Sequence, residues 1–190
     1  MLVETPATLD SVTDVSIKHF LMNYVNYVKA GIDGTHIALS TYESNVTKNI
    51  RFTDRQTQPN LVGTISMLNL TSQSNEINMD NVIADIRQTF IDPTSGDRRS
   101  VQNAVVFVAN HRHGVRSAAK RAFRKRLINT LADIASPVIV VDVGVGSPGS
   151  AATYATDYSH VVAIDKYSDL PGQAVPVAIM TCINSLNIIG

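Results

Sequence analysis

The chain has 190 residues, 44% of them apolar and 17% charged, which suits one globular domain, residues 1–190, with a two-sided core. Sixteen Lys and Arg balance sixteen Asp and Glu, so no global charge draws it to nucleic acid or a membrane surface, and any electrostatic function must be local. No stretch approaches the ~20 apolar residues of a membrane span, and Met1 to Asp10 has neither the basic nor the apolar part of a secretion signal.

Ile17, Phe20, Leu21, Tyr24, Val25 and Val28 fall at the spacing of one buried helix face. Gly31 is placed to end that helix, Asp33-Gly34 to turn the chain, and Ile37 to Thr41 to form a strand. Val46 to Phe52 alternates apolar-facing and polar positions and reads as a neighbouring strand joined by a tight connection. A short helix is expected from Pro59 to Leu70, because proline is favoured in a first turn. Another follows through Val82, Ile83, Ile86 and Phe90, and Asp92 to Ser100 reads as a surface loop.

Ala104 to Val108 and Val138 to Val143 are continuous apolar runs, as strands covered on both faces require. Between them Val115 to Ala135 has the length and period of a crossover helix, and Val161 to Ile164 and a helix from about Pro176 to Ile188 complete the alternation. Alternating strands and helices predict a doubly wound α/β domain with a mostly parallel sheet flanked by helices. Cys182 is the only cysteine, which excludes an internal disulfide framework and a cysteine-only metal cluster. It is expected to be a buried, inert thiol, with pairing to another chain as the alternative.

Gly144-Val145-Gly146-Ser147-Pro148-Gly149 satisfies GxGxxG after a strand, and Asp165 lies about twenty residues on, as in a dinucleotide fingerprint. Alone, it suggests a Rossmann-type enzyme using a nucleotide or S-adenosylmethionine. Two objections stand against that reading. The motif follows the penultimate strand rather than the first, and Pro148 removes an amide where donors should face a pyrophosphate.

Several separated segments carry a different resemblance. Gly34 to Val46, Asn103 to Val108 after Gly96-Asp97-Arg98-Arg99, Ala132 to Ala135, Val143 to Gly146, Tyr154 to Val162 and Tyr167 to Leu170 resemble, in order, the strands and closing third of a von Willebrand factor A domain of the extracellular, matrilin or collagen VI type. The resemblance covers Phe20 to Leu186 and implies a module that binds other proteins, usually through a metal ion at the carboxyl edge of the sheet. In that family a DxSxS motif, a Thr and an Asp supply hard oxygen ligands to a magnesium-like ion. This chain departs from every element. The gapless register puts Glu4-Thr5-Pro6-Ala7-Thr8 at DxSxS, and the alternative start at Asp10-Ser11 replaces both serines with Val12 and Asp14. The family's Thr falls at about Glu76 and its Asp at Asn110, between Ala109 and His111. The expected metal content is therefore none, with residual Mg²⁺ binding the less favoured outcome. The family's central first strand is expected to be truncated or irregular, because only Met1-Leu2-Val3 or Leu2 to Leu9 can supply it and Pro6 interrupts the ladder. Poor folding of the isolated chain is the consequence expected of that defect.

A second candidate surface is basic. Arg112, Arg116, Lys120, Arg121, Arg124, Lys125 and Arg126 place seven of sixteen cations in one short segment, with no acid until Asp133. Either this is the solvated face of the crossover helix, with Ala119, Phe123 and Leu127 turned to the core, or it binds a sulfated glycan or a mineral matrix. Nucleic acid is not expected, since no aromatic side chain is interleaved for base stacking. Asn45-Val46-Thr47 and Asn69-Leu70-Thr71 are glycosylation acceptors if the parent protein is secreted. His19, His36, His111, His113 and His160 form no ligand or nucleophile motif, and no enzyme class emerges. The expected function is a non-catalytic adhesion module of an extracellular or matrix protein, binding a collagen-like or other matrix partner without metal.

Overall fold

Asp10 starts helix α1 (Ser11–Tyr27) by supplying an acceptor that the first turn lacks. Its Oδ1 accepts from the Thr13 N–H at 2.7 Å. The helix ends at Val28, and the residue that then turns left-handed is Lys29, at φ 51°, rather than Gly31. The Lys29 N–H donates to the Asn26 carbonyl and the Ala30 N–H to the Val25 carbonyl, which closes the helix in a Schellman arrangement. Gly34 is the glycine this corner needs, because a Cβ there would lie 2.3 Å from the Lys29 carbonyl oxygen.

The computed structural model describes residues 1–5, 9–71, 77–98, 101–110, 117–132, 137–144 and 151–183. Six strands form one sheet: β1 (Leu2–Glu4), β2 (Leu39–Tyr42), β3 (Val46–Ile50), β4 (Val105–Asn110), β5 (Val138–Val143) and β6 (Val161–Ile164). Their order is β3-β2-β1-β4-β5-β6, and every pairing is parallel except the β2–β3 hairpin. The remaining helices are α2 (Gln58–Ser66), α3 (Met79–Phe90), α4 (Ser117–Ala132) and α5 (Ala174–Ile183). The expected doubly wound α/β architecture is thus the observed one. Helix α2 stops at Ser66, short of the expected Leu70, and α5 begins ahead of Pro176, which lies in its first turn, where a missing N–H costs nothing.

Side-chain alternation along the central strands divides the core in two. Val106 and Val108 of β4 and Ile139, Val141 and Val143 of β5 meet Phe20, Leu21, Leu61 and Val177 from α1, α2 and α5. Val105, Phe107 and Ala109 with Val138 and Val140 meet Val82, Ile86, Phe123 and Leu127 from α3 and α4. Because both faces are covered, β4 and β5 read as apolar runs, interrupted only by Asp142 and ended by Asn110.

Strand β1 has only three residues but sits in the middle of the sheet, with Leu2 and Val3 paired to β2 on one side and to β4 on the other. The expected shortening is real. The strand ends at Glu4, and Pro6, expected to interrupt the ladder, lies outside the described residues. Cys182 corrects another expectation: it is exposed rather than buried. It lies in the last described turn of α5, whose inward positions are Ala174, Val177 and Ala178.

Candidate functional site

Parallel strands end together, so their carboxyl ends bring residues distant in sequence to one edge. Glu4 at the end of β1 lies beside Asn110 at the end of β4, and the Asn110 backbone N–H donates to Glu4 Oε2 at 3.0 Å. Glu4 is 3% exposed. Next to it, Thr5 ties β1 to β2 twice: its N–H and its hydroxyl both donate to the Tyr42 carbonyl, at 3.0 and 3.2 Å. Asp142, in β5, is fully buried, and its Oδ2 accepts from the Ala152 N–H at 3.3 Å.

Three tyrosines converge on these carboxylates. Burial pushes the Tyr154 hydroxyl up to about 12, and the negative charges of Glu4 and then Asp142 add to the shift. Tyr42 is raised well above its ordinary value by burial first and then by Glu4. Tyr167 is raised by burial and Glu4 against an opposing contribution from the Asn110 side chain. The rings of Tyr42 and Tyr154 are held by a chain of aromatic contacts: Tyr42 on Phe107 at 6.2 Å and 82°, Phe107 on Tyr154 at 6.3 Å, and Tyr154 on Phe123 at 4.9 Å and 82°. The edge is therefore a buried cluster of phenols around two carboxylates.

These residues fit a divalent ion poorly. In the gapless register the described ligand positions are Glu4, with one oxygen already accepting from the Asn110 N–H, and the uncharged Asn110 side chain; the neighbouring Thr5 hydroxyl donates to the Tyr42 carbonyl. A magnesium-like ion needs more charge and more free oxygens than that. Pro6, Thr8 and Glu76, expected at the family's other ligand positions, lie outside the described residues. The alternative register is used otherwise: Asp10 caps α1, which holds its carboxyl below the usual range, Val12 is exposed, and Asp14 pairs with Lys18 at 2.9 Å. Among the described residues no group of three or more His, Cys, Asp or Glu could hold a metal ion.

The basic segment is only partly placed. Arg124, Lys125 and Arg126 are exposed on α4, while Phe123 and Leu127 turn inward, as their row predicts. Arg126 is ion-paired with Asp80 of α3, an acid that the linear segment does not reveal. Arg112 and Arg116 lie outside the described residues, as do the side chains of Lys120 and Arg121. Asn45, at the tip of the β2–β3 hairpin, and Asn69, after α2, are both exposed. Of the glycine motif only Gly144 is described. It has φ 98° and its N–H donates to the Ile164 carbonyl at 2.8 Å, so it turns the chain out of β5 while still bonded to β6. Asp165 follows β6 directly. His36 Nε2 lies 3.1 Å from the Ile32 carbonyl, in keeping with a structural role.

Sequence reasoning passed over Asp142 and the three tyrosines. Asp142 was the one signal at hand, a charged residue inside the apolar run Val138 to Val143.

Comparison with known proteins follows the same outline. A family model of the von Willebrand factor type A domain matches residues 8–172. No curated protein matches the chain in sequence. Among solved structures, proximal thread matrix protein 1 from the mussel byssus superposes with a TM-score of 0.78 at 14% identity, over 95% of this chain and 46% of that one. This chain therefore spans less than half of the mussel protein, one structure of which has a zinc-occupied MIDAS motif. The vWF domain of the type V pili tip protein Mfa5 from Porphyromonas gingivalis superposes at 0.70 and 9% identity, over 97% of this chain and 94% of that one. Manganese-loaded TRAP protein from Plasmodium vivax superposes at 0.65 and 12% identity, over 93% and 69%. At these identities the likeness is one of fold.

Proposed function

The chain belongs to the von Willebrand factor type A family, and from that premise we propose that it is a non-catalytic protein-binding module of an extracellular or matrix protein that engages its partner without a metal ion. The observation that carries this reading is Glu4: at the family's metal edge its carboxylate is turned inward onto the Asn110 N–H, among three tyrosines. The partner is a collagen-like chain or another matrix component. Supporting an extracellular setting are the exposed acceptor asparagines Asn45 and Asn69 and structural neighbours from a byssal thread and a pilus tip. A nucleotide or S-adenosylmethionine site at residues 144–149 has less in its favour, since the motif follows β5, the penultimate strand in chain order, rather than the first strand.

Metal independence is tested by thermal unfolding in millimolar MgCl₂ against EDTA. The midpoints should agree within about 1 °C, because an ion bound only to the folded state would raise it. A rise of several degrees with magnesium overturns the reading. Binding to immobilised fibrillar collagen should likewise survive EDTA.

The exposed Arg124 and Lys125 favour a second reading, capture of a sulfated glycan or a mineral matrix by α4. On a heparin column the chain should be retained at low salt and released as salt rises, and Arg124→Glu with Lys125→Glu should abolish retention. Passage of the unaltered chain straight through the column at low salt ends it.

A further inference from the structure

The two helical layers that cover the sheet differ in charge. Helix α1 lies between α2 and α5 and touches both, and the Tyr24 hydroxyl donates to Thr181 Oγ1 at 3.2 Å to join α1 to α5. Helices α2 and α5 carry no charged residue. Helix α1 carries only Asp14 and Lys18, which are paired with each other at 2.9 Å. On the opposite face of the sheet α3 has three charged residues and α4 has five. A helix that meets water normally carries charge on its outer side, and the α1 layer does not.

The same layer keeps large apolar side chains outside. Val12, 57% exposed, and Val15 lie on α1, Met67, 85% exposed, closes α2, and Val175 and Ile179 lie on α5. Among the described residues α3, α4 and their caps add only Ile91 and Ile128. Loss of charge is what sets the centre of a protein interface apart from the rest of a surface, and methionine is enriched there. The extent fits as well. The 17 residues of α1 run about 25 Å, with the shorter α2 and α5 about 10 Å to either side, a face of roughly 500 Å² in projection. Side chains roughen that face, which brings its accessible area towards the ~800 Å² that each partner of a stable complex buries.

We propose that this layer is the face through which two copies of the chain pair about a two-fold axis, with α1 packed against α1 of the second copy. A two-fold sets a surface against itself, so a face of one sign repels its mate and a neutral face does not. Exposed Arg124 and Lys125 put α4 in the first class. The α1 layer is in the second, and its internal Asp14–Lys18 pair leaves no net charge to steer a charged partner to it. Helix α4 packs on the other side of the sheet, so pairing leaves it open to solvent. The inference does not rest on metal independence at the carboxyl edge.

Sedimentation velocity from micromolar to submillimolar chain tests it. The unaltered chain should sediment as a dimer at the upper end and dissociate to a monomer on dilution. Val15→Glu with Ile179→Glu brings like charges together across the two-fold and should weaken pairing at least about tenfold. Ile128→Glu, the same exchange at an exposed position of α4, should leave it within about twofold. A second measurement needs no variant: on dilution of the ¹⁵N-labelled chain, amide signals of α1, α2 and α5 should move and those of α3 and α4 should not. A chain that stays monomeric throughout overturns the proposal, as does pairing that survives Val15→Glu with Ile179→Glu, or dilution shifts that fall on α3 and α4. Should the monomeric chain bind fibrillar collagen and the double variant fail to, the face belongs to a matrix partner and not to a second copy.

Discussion

Between pH 10 and about 12 this chain should lose stability steeply and unfold. Four buried tyrosines hold their protons more tightly in the folded state than in the unfolded chain. Tyr24 and Tyr154 are each pushed up to about 12 from an ordinary 10.0, and Tyr42 and Tyr167 are also raised, in every case by burial first. A folded pKa above the unfolded one gives a contribution that is complete below the unfolded value and is lost as pH climbs towards the folded value. Each such tyrosine costs about 1.4 kcal/mol per pH unit in that window. Four acting together remove roughly 5 kcal/mol per unit, comparable with a domain's whole stability of about 5–15 kcal/mol. Tyrosinate absorbance from these residues and loss of helical circular dichroism should therefore arrive in one transition above pH 10. Tyr154→Phe, which keeps the ring against Phe123 and deletes the hydroxyl, should make the alkaline slope shallower. Progressive ionisation of all the tyrosines with the circular dichroism intact past pH 12 contradicts the argument.

Phe107→Ala should cost about 3–5 kcal/mol, the range for deleting a buried aromatic side chain from a packed core. Phe107 is fully buried in β4, between β1 and β5, and its ring touches both Tyr42 and Tyr154. Removing it opens a cavity beneath the tyrosine cluster as well as losing apolar burial. Urea unfolding is the measure: the midpoint should fall while the m-value stays unchanged, since the surface exposed on unfolding hardly alters. A loss under about 1 kcal/mol would mean that the surrounding side chains collapse into the space.

The fold was legible because its signals are local. The period of Ile17 to Val28 and the unbroken runs of β4 and β5 are written in neighbouring residues, and they describe a helix with one buried face and strands covered on both. Where two glycines compete for one corner, locality misleads. Gly31 looked like the helix stop, but Lys29 takes the left-handed turn and Gly34 is the position that a close backbone approach reserves for glycine. Short strands also escape period analysis, and three residues of β1 carry no period at all.

The candidate site was legible only by its losses. Matching Glu4 and Asn110 to family positions raised the expectation of replaced ligands without revealing their surroundings. Asp142 and Tyr42, Tyr154 and Tyr167 lie far apart in the chain, and nothing in their neighbours marks them as a group. The pairing of Arg126 with Asp80 was hidden for the same reason, and a basic run thereby lost one of its free charges.

The sequence by itself determined the class of fold and the family, because periodicity and motif order are properties of neighbouring residues. Tertiary structure alone decided that Glu4 is spent on Asn110 among tyrosines, that Cys182 faces outward, and that α1, α2 and α5 share one layer. Parallel strands joined by crossover helices set residues a hundred positions apart side by side, and the charge, burial and hydrogen bonding that give a site its chemistry arise only there.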